Sequence, residues 1–333
     1  GTRCSTAKAW LGRARGRPNL EVRTHALAQR VLVCGTRAVG VDYRQRGRLR
    51  RAEAGEVILC GGAVNSPQLL MLSGIGPADQ LRAHGITVRN ALEGVGANLQ
   101  DHLDICTLQR STEAISYDRA NDVAVALEFL LHRRGIGTSN IAECGGFIRS
   151  SLAPETPDIQ LHFIPAYVID HARVKPGGHG MTLHACVLRP QSRGEIRLAS
   201  ADPLTPPAID PNYLERPYDL KVLIDGIRRG REIFATRAFR PFVGPERDPG
   251  GGRHSDEELA DYIAGHAETE YHPVGTCRMG HDEMAVVDDR LRVRGIDGLR
   301  VVDASIMPTV VSGNTNAPAI MIGEKGAAMI AAA

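Results

Sequence analysis

The chain has 333 residues and carries 40 Lys and Arg against 38 Asp and Glu, which gives a formal net charge of +2. Because a nucleic-acid-binding surface needs a clustered surplus of cations, this balance argues against a protein that binds nucleic acid. At 43% hydrophobic and 23% charged residues the composition is that of a folded globular protein. The length predicts about two domains. The sequence has no apolar run of about 18 residues, the length that a membrane-spanning helix requires.

The seven cysteines are widely spaced and form no C-x-x-C pair. An odd, scattered set argues against a disulfide framework and against a structural zinc site, so we predict no metal site. Free cysteines also favour a reducing compartment. The chain begins with Gly1 rather than Met, and its first residues lack the shape of a signal peptide. We therefore expect either a removed start or a piece of a longer chain.

Strands and one helix are predicted over residues 20–80. Alternating or short apolar runs indicate strands at 20–26, 30–33, 38–43 and 56–60. Residues 35–40 indicate a hairpin turn, and the arginine-rich stretch 45–51 indicates a solvated turn. Ser66 is a good N-cap and Pro67 suits a first turn, so a helix is predicted to begin there and to end at Gly74. The order strand, glycine turn, helix is suited to bringing backbone against a cofactor.

The rest of the chain alternates between strand and helix patterns. Strands are predicted at 145–148, 159–163, 181–187, 194–198 and 299–303, the first four joined in one sheet. Helices are predicted at 122–132, 219–234, 255–266 and 317–333. The third of these helices begins with a capping box, because Glu258 follows Ser255 by three residues.

Generic catalytic motifs are missing from the sequence. G-x-G-x-x-G, H-E-x-x-H and G-x-S-x-G do not occur. His272, however, follows a predicted helix end and precedes Pro273 and Gly275, which place it on a defined loop. A histidine there can act as a base near neutral pH, although most of the 12 histidines must be structural.

Residues 311–323 form a polar entry to the final predicted helix. Backbone N–H groups at a helix start are free and lie at the positive end of the helix dipole, so they favour an anionic partner. Ordinary N-capping by Asn314 or Asn316 is the alternative interpretation.

Four stretches, in order along the chain, resemble motifs of the glucose-methanol-choline (GMC) oxidoreductase family. They are residues 61–77 (GGAVNSPQLLMLSGIGP), 94–102 (GVGANLQDH), 271–280 (YHPVGTCRMG) and 303–323, which begins DASIMP. Long, ordered matches of this kind are far more specific than a lone glycine motif. The chain resembles most the bacterial choline dehydrogenase-like branch of that family.

The resemblance implies a mixed α/β fold. It consists of a partial, discontinuous FAD-binding domain of Rossmann-like type and a substrate domain with an antiparallel sheet and flanking helices. Residues 1–103 are then the central part of the FAD-binding domain, 104–286 the substrate-binding domain and 287–333 the closing part of the FAD-binding domain. The family's G-x-G-x-x-G lies upstream of this region, so the resemblance also implies a C-terminal fragment.

The resemblance implies FAD as the cofactor, a choline-like or other primary alcohol as the substrate and a quinone or oxygen as the electron acceptor. The alcohol is oxidised to an aldehyde by hydride transfer to flavin N5, with His272 as general base and Asn316 as its partner. Glu143 would face the quaternary ammonium of choline. The alternative is a structural glutamate that relatives with uncharged substrates share. The residues expected at FAD are Leu27, Ala28, Asp303, Ala304, Asn314, Thr315, Asn316 and Ala317.

Several alternatives stay open at the level of sequence. The chain is an inactive fragment that cannot hold FAD, a non-redox relative of hydroxynitrile-lyase type that cleaves cyanohydrins, or a binding protein that kept the fold and lost the chemistry. The expected location is the cytoplasm or the periphery of the inner membrane.

Overall fold

The computed structural model describes residues 2–153 and 155–332. The chain forms two compact units, each assembled from separate segments. The first, called the motif unit here, comprises Thr6–Asp101, Ser192–Tyr213 and Tyr271–Ala333. The second, called the sheet unit, comprises Gly1–Ser5, His102–Gln191 and Leu214–Glu270.

The strands of the motif unit are short and form small sheets. One sheet is antiparallel and consists of β1 (Ala26–Cys34), β2 (Arg37–Gln45) and β3 (Arg48–Glu53), in that order. Two parallel pairs are β4 (Val57–Leu59) with β15 (Leu299–Val301), and β5 (Ile75–Gly76) with β6 (Asn90–Ala91). An antiparallel pair joins β11 (Glu195–Arg197) to β12 (Ala208–Asp210).

Helices complete the motif unit and supply much of its core. They are a π-helical turn at Ala7–Leu11, α1 (Gly12–Ala14), α2 (Gly62–Leu72), α3 (Ala78–Ala83), a 3-10 turn at Ala304–Ile306 and α7 (Asn316–Ala331). Leu70 and Met71 of α2 and Val301 of β15 are fully buried in one hydrophobic cluster. Because β15 pairs with β4, segments that precede and follow the sheet unit in sequence fold together around this core.

The sheet unit is built on an antiparallel sheet with the strand order β13-β7-β10-β9-β8, and β14 also pairs with β7. Its strands are β7 (Leu103–Ser111), β8 (Cys144–Ile148), β9 (Ile159–Ile164), β10 (Gly180–Val187), β13 (Val243–Asp248) and β14 (Glu268–Thr269). Its helices are α4 (Asp122–His132), α5 (Pro217–Phe234) and α6 (Asp256–His266), with 3-10 turns at Tyr117–Arg119 and Ile136–Thr138.

Helix α5 packs against one face of this sheet at two glycines. A Cβ on Gly226 would lie 2.8 Å from the Cβ of Ala185, and a Cβ on Gly230 would lie 2.9 Å from Oγ1 of Thr107. The helix backbone therefore approaches β7 and β10 closely at these points. Since successive strand residues point to opposite faces, the even-numbered residues of β7 and β10 point away from α5.

The structure confirms the mixed α/β fold and most of the predicted elements. The predicted segments 38–43, 122–132, 159–163, 181–187 and 219–234 lie within β2, α4, β9, β10 and α5. The capping box is also confirmed, because Ser255 Oγ accepts the N–H of Glu258 and the carboxylate of Glu258 accepts the N–H of Ser255. The final helix begins at Asn316, and the predicted last residue, Ala333, lies outside the described residues.

Two strand predictions and one turn prediction were wrong in extent or partner. Residues 20–25 are irregular, and β1 begins at Ala26. The stretch 45–51 contains a tight turn, but from Arg48 onward it is β3, an exposed edge strand on which charged side chains are readily accommodated. Segment 194–198 does not join the large sheet, because β11 pairs with β12 inside the motif unit.

Helix α2 begins earlier than Ser66 predicted. It starts at Gly62, so Ser66 and Pro67 lie inside it. The carboxylate of Asp303 takes the capping role, because its Oδ2 accepts the N–H of Gly62 at 2.9 Å and the hydroxyl of Ser66 at 2.6 Å. A capping partner so distant in sequence leaves no local signal, which is why the start was misplaced.

Candidate active site

Motif stretches that are far apart in sequence lie side by side in the motif unit. Gln100 and Val274 exchange backbone hydrogen bonds of 3.1 and 2.9 Å. The N–H of Cys277 donates to the carbonyl oxygen of Ser305 at 2.9 Å. The stretches 94–102, 271–280 and 303–323 therefore meet as one layer of hydrogen-bonded loops.

Pro67 provides a link between two of these motifs. Proline has no N–H, so the carbonyl of the residue four positions earlier loses its helical partner. That residue is Ala63, and its carbonyl oxygen accepts a hydrogen bond from Oγ1 of the buried Thr276 at 2.6 Å. Because Pro67 cannot donate to it, the carbonyl oxygen of Ala63 is available to accept the hydrogen bond that fixes the loop after His272.

Gln100 joins the loops through its side chain. Its Oε1 accepts the N–H of Val310 at 3.2 Å, and its Nε2 donates to the carbonyl of Pro308 and to Oδ1 of Asn98, each at 3.1 Å. Gln100 is 2% exposed. Because a buried amide needs partners at both ends, it holds the loops in one arrangement.

Two glycines permit the close packing of these loops. Gly275 has a φ of +94°, and a Cβ there would lie 2.5 Å from the carbonyl oxygen of Asn98. Gly96 has a φ of +87°, and a Cβ there would lie 2.2 Å from the carbonyl oxygen of Ile196. Both positions exclude any side chain, because the backbone conformation and the space each require glycine.

His272 is held by its backbone and is buried. Its N–H donates to Oδ1 of Asp101 at 2.8 Å, and Oδ2 of the same carboxylate accepts the hydroxyl of Tyr213 at 2.5 Å. Tyr271, just before it, has a φ of +60°, a left-handed conformation that is uncommon for an aromatic residue. His272 is 8% exposed, so the loop fixes a largely buried imidazole.

The structure brings Asn314 to this imidazole. Nδ2 of Asn314 lies 3.4 Å from Nε2 of His272. The resemblance assigned the partner role to Asn316, which is the exposed first residue of α7. The sequence Asn-Thr-Asn offers two candidates, and only the path of the loop into the helix decides which side chain points at His272.

The start of α7 carries no capping side chain. Thr315 occupies the N-cap position, its side chain makes no capping hydrogen bond, and the first turn contains no acidic residue. The alternative of capping by Asn314 or Asn316 is therefore not what the structure shows. The N–H groups of Asn316 and Ala317 lie at the positive end of the helix dipole, where an anionic group is favoured.

Asp303 and Ala304 follow β15. Besides its bonds to α2, the carboxylate of Asp303 accepts the N–H of Ser305 at 2.8 Å through Oδ1. The side chain of Asp303 thus joins the end of β15 to the start of α2, and Ala304 opens the 3-10 turn. Contacts of these two residues with FAD stay a prediction.

Leu27 and Ala28 line a cavity of about 310 Å³ in the motif unit. The cavity lies where β4 ends, beside Gly61, and its walls are mostly apolar. Ligands of open α/β sheets bind at this end of parallel strands, and small-molecule sites start at about 300 Å³. Leu27 and Ile58 are 46% and 40% exposed, so they leave apolar surface for a flat ring. The residues present fit the adenosine part of a dinucleotide.

Glu143 is exposed in the loop before β8 of the sheet unit. Its Oε1 accepts the hydroxyl of Tyr117 at 2.5 Å and that of Ser139 at 2.7 Å. The hydrogen bond from Tyr117 makes the larger contribution and that from Ser139 the smaller. Together they hold the pKa of Glu143 below its usual value, so the carboxylate is ionised. Its contact with a substrate stays a prediction.

The sheet unit contains a buried cluster of polar side chains that was not predicted from the sequence. The Asp104 carboxylate is hydrogen-bonded to Nδ1 of His184, and Sγ of Cys106 lies 3.3 Å from the same nitrogen. Glu270 lies 3.4 Å from Nδ1 of His162 and close enough to Asp104 to act on it electrostatically. Burial raises the pKa of Asp104 to about 6 and that of Cys106 to about 11. The available signal was the recurrence of polar residues at even positions of two predicted strands, 159–163 and 181–187, whereas the strand that carries Asp104 and Cys106 was not predicted.

Comparison with known proteins identifies the family. Residues 1–104 and 190–323 match the N-terminal and C-terminal sequence profiles that are described as GMC oxidoreductase. The chain belongs to the GMC oxidoreductase family. This confirms the resemblance that the four motif stretches carry.

Individual GMC relatives cover nearly the whole chain. An alcohol dehydrogenase [acceptor] from Pseudomonas putida is 48% identical over 99% of this chain and 61% of its own length. The mitochondrial choline dehydrogenase of Homo sapiens is also 48% identical, over 99% of this chain and 57% of its own length. A solved variant of formate oxidase from Aspergillus oryzae RIB40 has a TM-score of 0.90 and 28% identity, over 96% of this chain and 62% of its own. The chain thus spans about three fifths of the length of these relatives.

Proposed function

We propose that the protein containing this chain is an FAD-dependent enzyme that oxidises a primary alcohol to an aldehyde, with His272 as general base. The observation that carries the proposal is the imidazole of His272, buried on a fixed loop with its Nε2 3.4 Å from the amide of Asn314. The names of the alcohol and choline dehydrogenase relatives support the reaction class.

FAD as the cofactor is supported by the family and by the site. The formate oxidase relative was solved to follow the effect of a mutation on FAD modification. In this chain, Leu27 and Ala28 would hold the adenine in the cavity beside β4, and the start of α7 would face the flavin ring. When bound, FAD would supply the acceptor for the hydride of the substrate carbon. The positive end of α7 would stabilise negative charge on its ring.

The proton of the alcohol would pass to Nε2 of His272. Removal of that proton lets negative charge develop on the substrate oxygen, and a general base contributes about 10²–10⁴ in rate. The amide of Asn314 can donate a hydrogen bond to the same oxygen, but it cannot titrate. Asn314 therefore takes the partner role in this proposal, in place of Asn316.

Asp101 would keep the base in position without touching the substrate. Its carboxylate holds the backbone of His272 and the hydroxyl of Tyr213 at the same time. Such a fixed support reduces the reorganisation needed when the proton moves.

The two units suggest how the functions divide. The motif unit would hold FAD and the sheet unit would contact the substrate. The predicted boundaries 1–103, 104–286 and 287–333 differ from the compact units, because Ser192–Tyr213 and Tyr271–Val286 pack with the motif unit. Glu143 would select a cationic alcohol such as choline, since its carboxylate is exposed and ionised.

The electron acceptor and the location belong to the same proposal. The acceptor would be a quinone or oxygen, and comparison of turnover with each decides between them. In the described residues, the helices are all too short or too polar to cross a bilayer. Binding at the periphery of the inner membrane is tested by co-sedimentation of the protein with lipid vesicles.

The base is tested with His272→Ala in the full-length protein. We expect the anaerobic rate of flavin reduction by alcohol to fall about 10²–10⁴-fold, because the substitution removes the proposed general base. The exposed His281→Ala serves as the matched control and should keep the rate of the unmodified protein. An unchanged rate in His272→Ala would show that His272 is not the base.

The same assay separates the alternatives. Substrate-dependent bleaching of the flavin supports oxidation, whereas aldehyde release without bleaching indicates a lyase. The inactive fragment is tested on the purified 333-residue chain alone, where folded chain without flavin absorbance indicates it and stoichiometric flavin absorbance would overturn it. Folded, FAD-bound protein with no turnover, in which His272→Ala changes nothing, indicates a binding role.

A further inference from the structure

We propose that the sheet unit binds one divalent transition-metal ion of the zinc class through Asp104, Cys106 and His184. Their three ligand atoms, a carboxylate oxygen, a thiol sulfur and an imidazole nitrogen, lie within 4.8 Å of one another. The family and the proposed alcohol oxidation do not require this ion, so the proposal stands apart from the proposed function.

Strand register brings the three side chains together. Asp104 and Cys106 are two residues apart on β7 and therefore point to the same face of the sheet. His184 on β10 is the direct register partner of Cys106 in the antiparallel pair. Helix α5 covers the opposite face of these strands, so the three ligands converge on the face that α5 leaves free.

The spacing suits a small metal ion. Zinc binds sulfur at about 2.3 Å and nitrogen or oxygen at about 2.0–2.2 Å, so tetrahedral ligand atoms stand roughly 3.4–3.7 Å apart. Sγ of Cys106 is 3.3 Å from Nδ1 of His184, close to that separation. The carboxylate of Asp104 is hydrogen-bonded to the same nitrogen and would move outward by the rotation of its side chain when an ion displaces the shared proton.

The donor set discriminates between kinds of cation. A thiolate and an imidazole favour zinc, cobalt or copper over calcium and magnesium, which prefer oxygen ligands. The three protein ligands leave a fourth tetrahedral position for a water molecule. A bound cation would also keep the Cys106 thiol deprotonated, as metal ligation generally does.

Acidic residues around the cluster support a cation. Glu270 contacts Nδ1 of His162 at 3.4 Å and lies close enough to Asp104 to act on it electrostatically, so its negative charge would favour a cation at Asp104. Glu268 lies close enough to Cys106 to act on it electrostatically, and it pairs with His171 at 3.2 Å. Negative charge beside a site stabilises a bound cation through the Coulomb attraction between them.

The linear arrangement of cysteines gave no hint of this site. His184 is 78 residues from Cys106, and only antiparallel pairing of β7 with β10 makes them neighbours. Sequence spacing detects ligands on one turn or loop, so a site assembled across strands escapes it.

Cobalt provides a spectroscopic test on the full chain. The reduced, chelator-treated protein is titrated with Co²⁺, and thiolate ligation is read from the near-ultraviolet charge-transfer band. We expect one Co²⁺ per chain, and Zn²⁺ should displace it. The charge-transfer band should be lost in Cys106→Ser. The affinity for Co²⁺ should fall at least about 10-fold in His184→Gln and in Glu270→Gln. Cys144→Ser, which changes an exposed cysteine on β8, is the matched control and should keep the band.

A second measurement covers the case in which Cys106→Ser fails to fold. X-ray absorption of the cobalt-loaded unmodified protein should show one sulfur and otherwise nitrogen or oxygen ligands. A cobalt site without sulfur, a band that persists in folded Cys106→Ser, or failure to bind one ion per chain would each overturn the proposal.

Discussion

At the scale of single residues, the candidate site depends on side chains that hold backbone rather than substrate. Gln100 and Asp101 are adjacent, and both are buried and hydrogen-bonded to neighbouring loops. A buried polar group that loses its partner costs about 1–3 kcal/mol, so each of these residues constrains the loops strongly. The position of His272 is therefore a property of its neighbours.

Replacement of Asp101 should reveal this support. Asp101→Ala removes the acceptor for the N–H of His272 and for the hydroxyl of Tyr213, and we expect a loss of about 1–3 kcal/mol in the free energy of unfolding. Urea titration measures it, and the rate of flavin reduction should fall without a change in its pH profile. Tyr213→Phe removes one of the two donors and should cost less. Equal stability of Asp101→Ala and the unmodified protein would contradict the supporting role.

At the scale of elements, the helices are positioned by contacts at their ends and by glycines along their packed faces. Helix α6 begins with the Ser255–Glu258 capping box that the sequence predicted. Helix α2 begins instead under the carboxylate of Asp303, far away in sequence. The capping box of α6 was predictable because Ser255 and Glu258 lie within four residues of each other. The cap of α2 was not predictable because Asp303 is far from that helix in sequence.

The capping box should make α6 sensitive to acid. Backbone hydrogen bonds from Ser255 and then His254 lower the pKa of Glu258 from 4.5 to about 2. Because the folded-state pKa lies below the unfolded one, the stabilisation is fully present above about pH 4.5 and is lost as the pH falls towards 2.

We therefore expect the unmodified protein to be more stable than Glu258→Gln at pH 6, and this difference should shrink between pH 4.5 and 2. Urea titrations at several pH values measure it. Glu257→Gln, in the same helical turn, is the control and should show a much smaller pH-dependent difference. A difference that is constant down to pH 2 would contradict the ionised capping box.

Two glycines of α7 should respond in opposite ways to alanine. A Cβ on the buried Gly326 would lie 2.4 Å from Cγ1 of Val302, so we expect Gly326→Ala to destabilise the chain by about 1–3 kcal/mol through overpacking. Gly323, on the same helix, is exposed with no atom within 4 Å of its Cβ position, and Gly323→Ala should stabilise by up to about 1 kcal/mol. Thermal and urea unfolding compare the two. Destabilisation of the same size in both would show that packing against Val302 is not the cause.

At the scale of the whole molecule, each unit is discontinuous in sequence. The motif unit is completed only when β15 pairs with β4, and its core combines residues that precede and follow the sheet unit in sequence. The family assignment and the mixed α/β fold follow from the motif stretches, and both are confirmed. The role of the cavity beside β4 can be tested only through the cofactor.

Substitution of Leu27→Arg should lower the FAD content of the purified full-length protein. A guanidinium in this mostly apolar cavity would have to be desolvated against a flat ring, so we expect the flavin-to-protein absorbance ratio to fall several-fold. Leu49→Arg is the control, because Leu49 is 65% exposed on β3 of the same small sheet. An unchanged flavin content in Leu27→Arg would place the adenine elsewhere.

The sequence by itself determined the family, the fold class and the loop that carries His272. Those features are encoded in contiguous motifs and in local periodicity, which survive without knowledge of the fold. The tertiary structure decided that Asn314 rather than Asn316 lies at His272, that Asp303 caps α2, and that Asp104, Cys106 and His184 converge. These outcomes depend on loop path and strand register, which bring together atoms that no local pattern in the sequence connects.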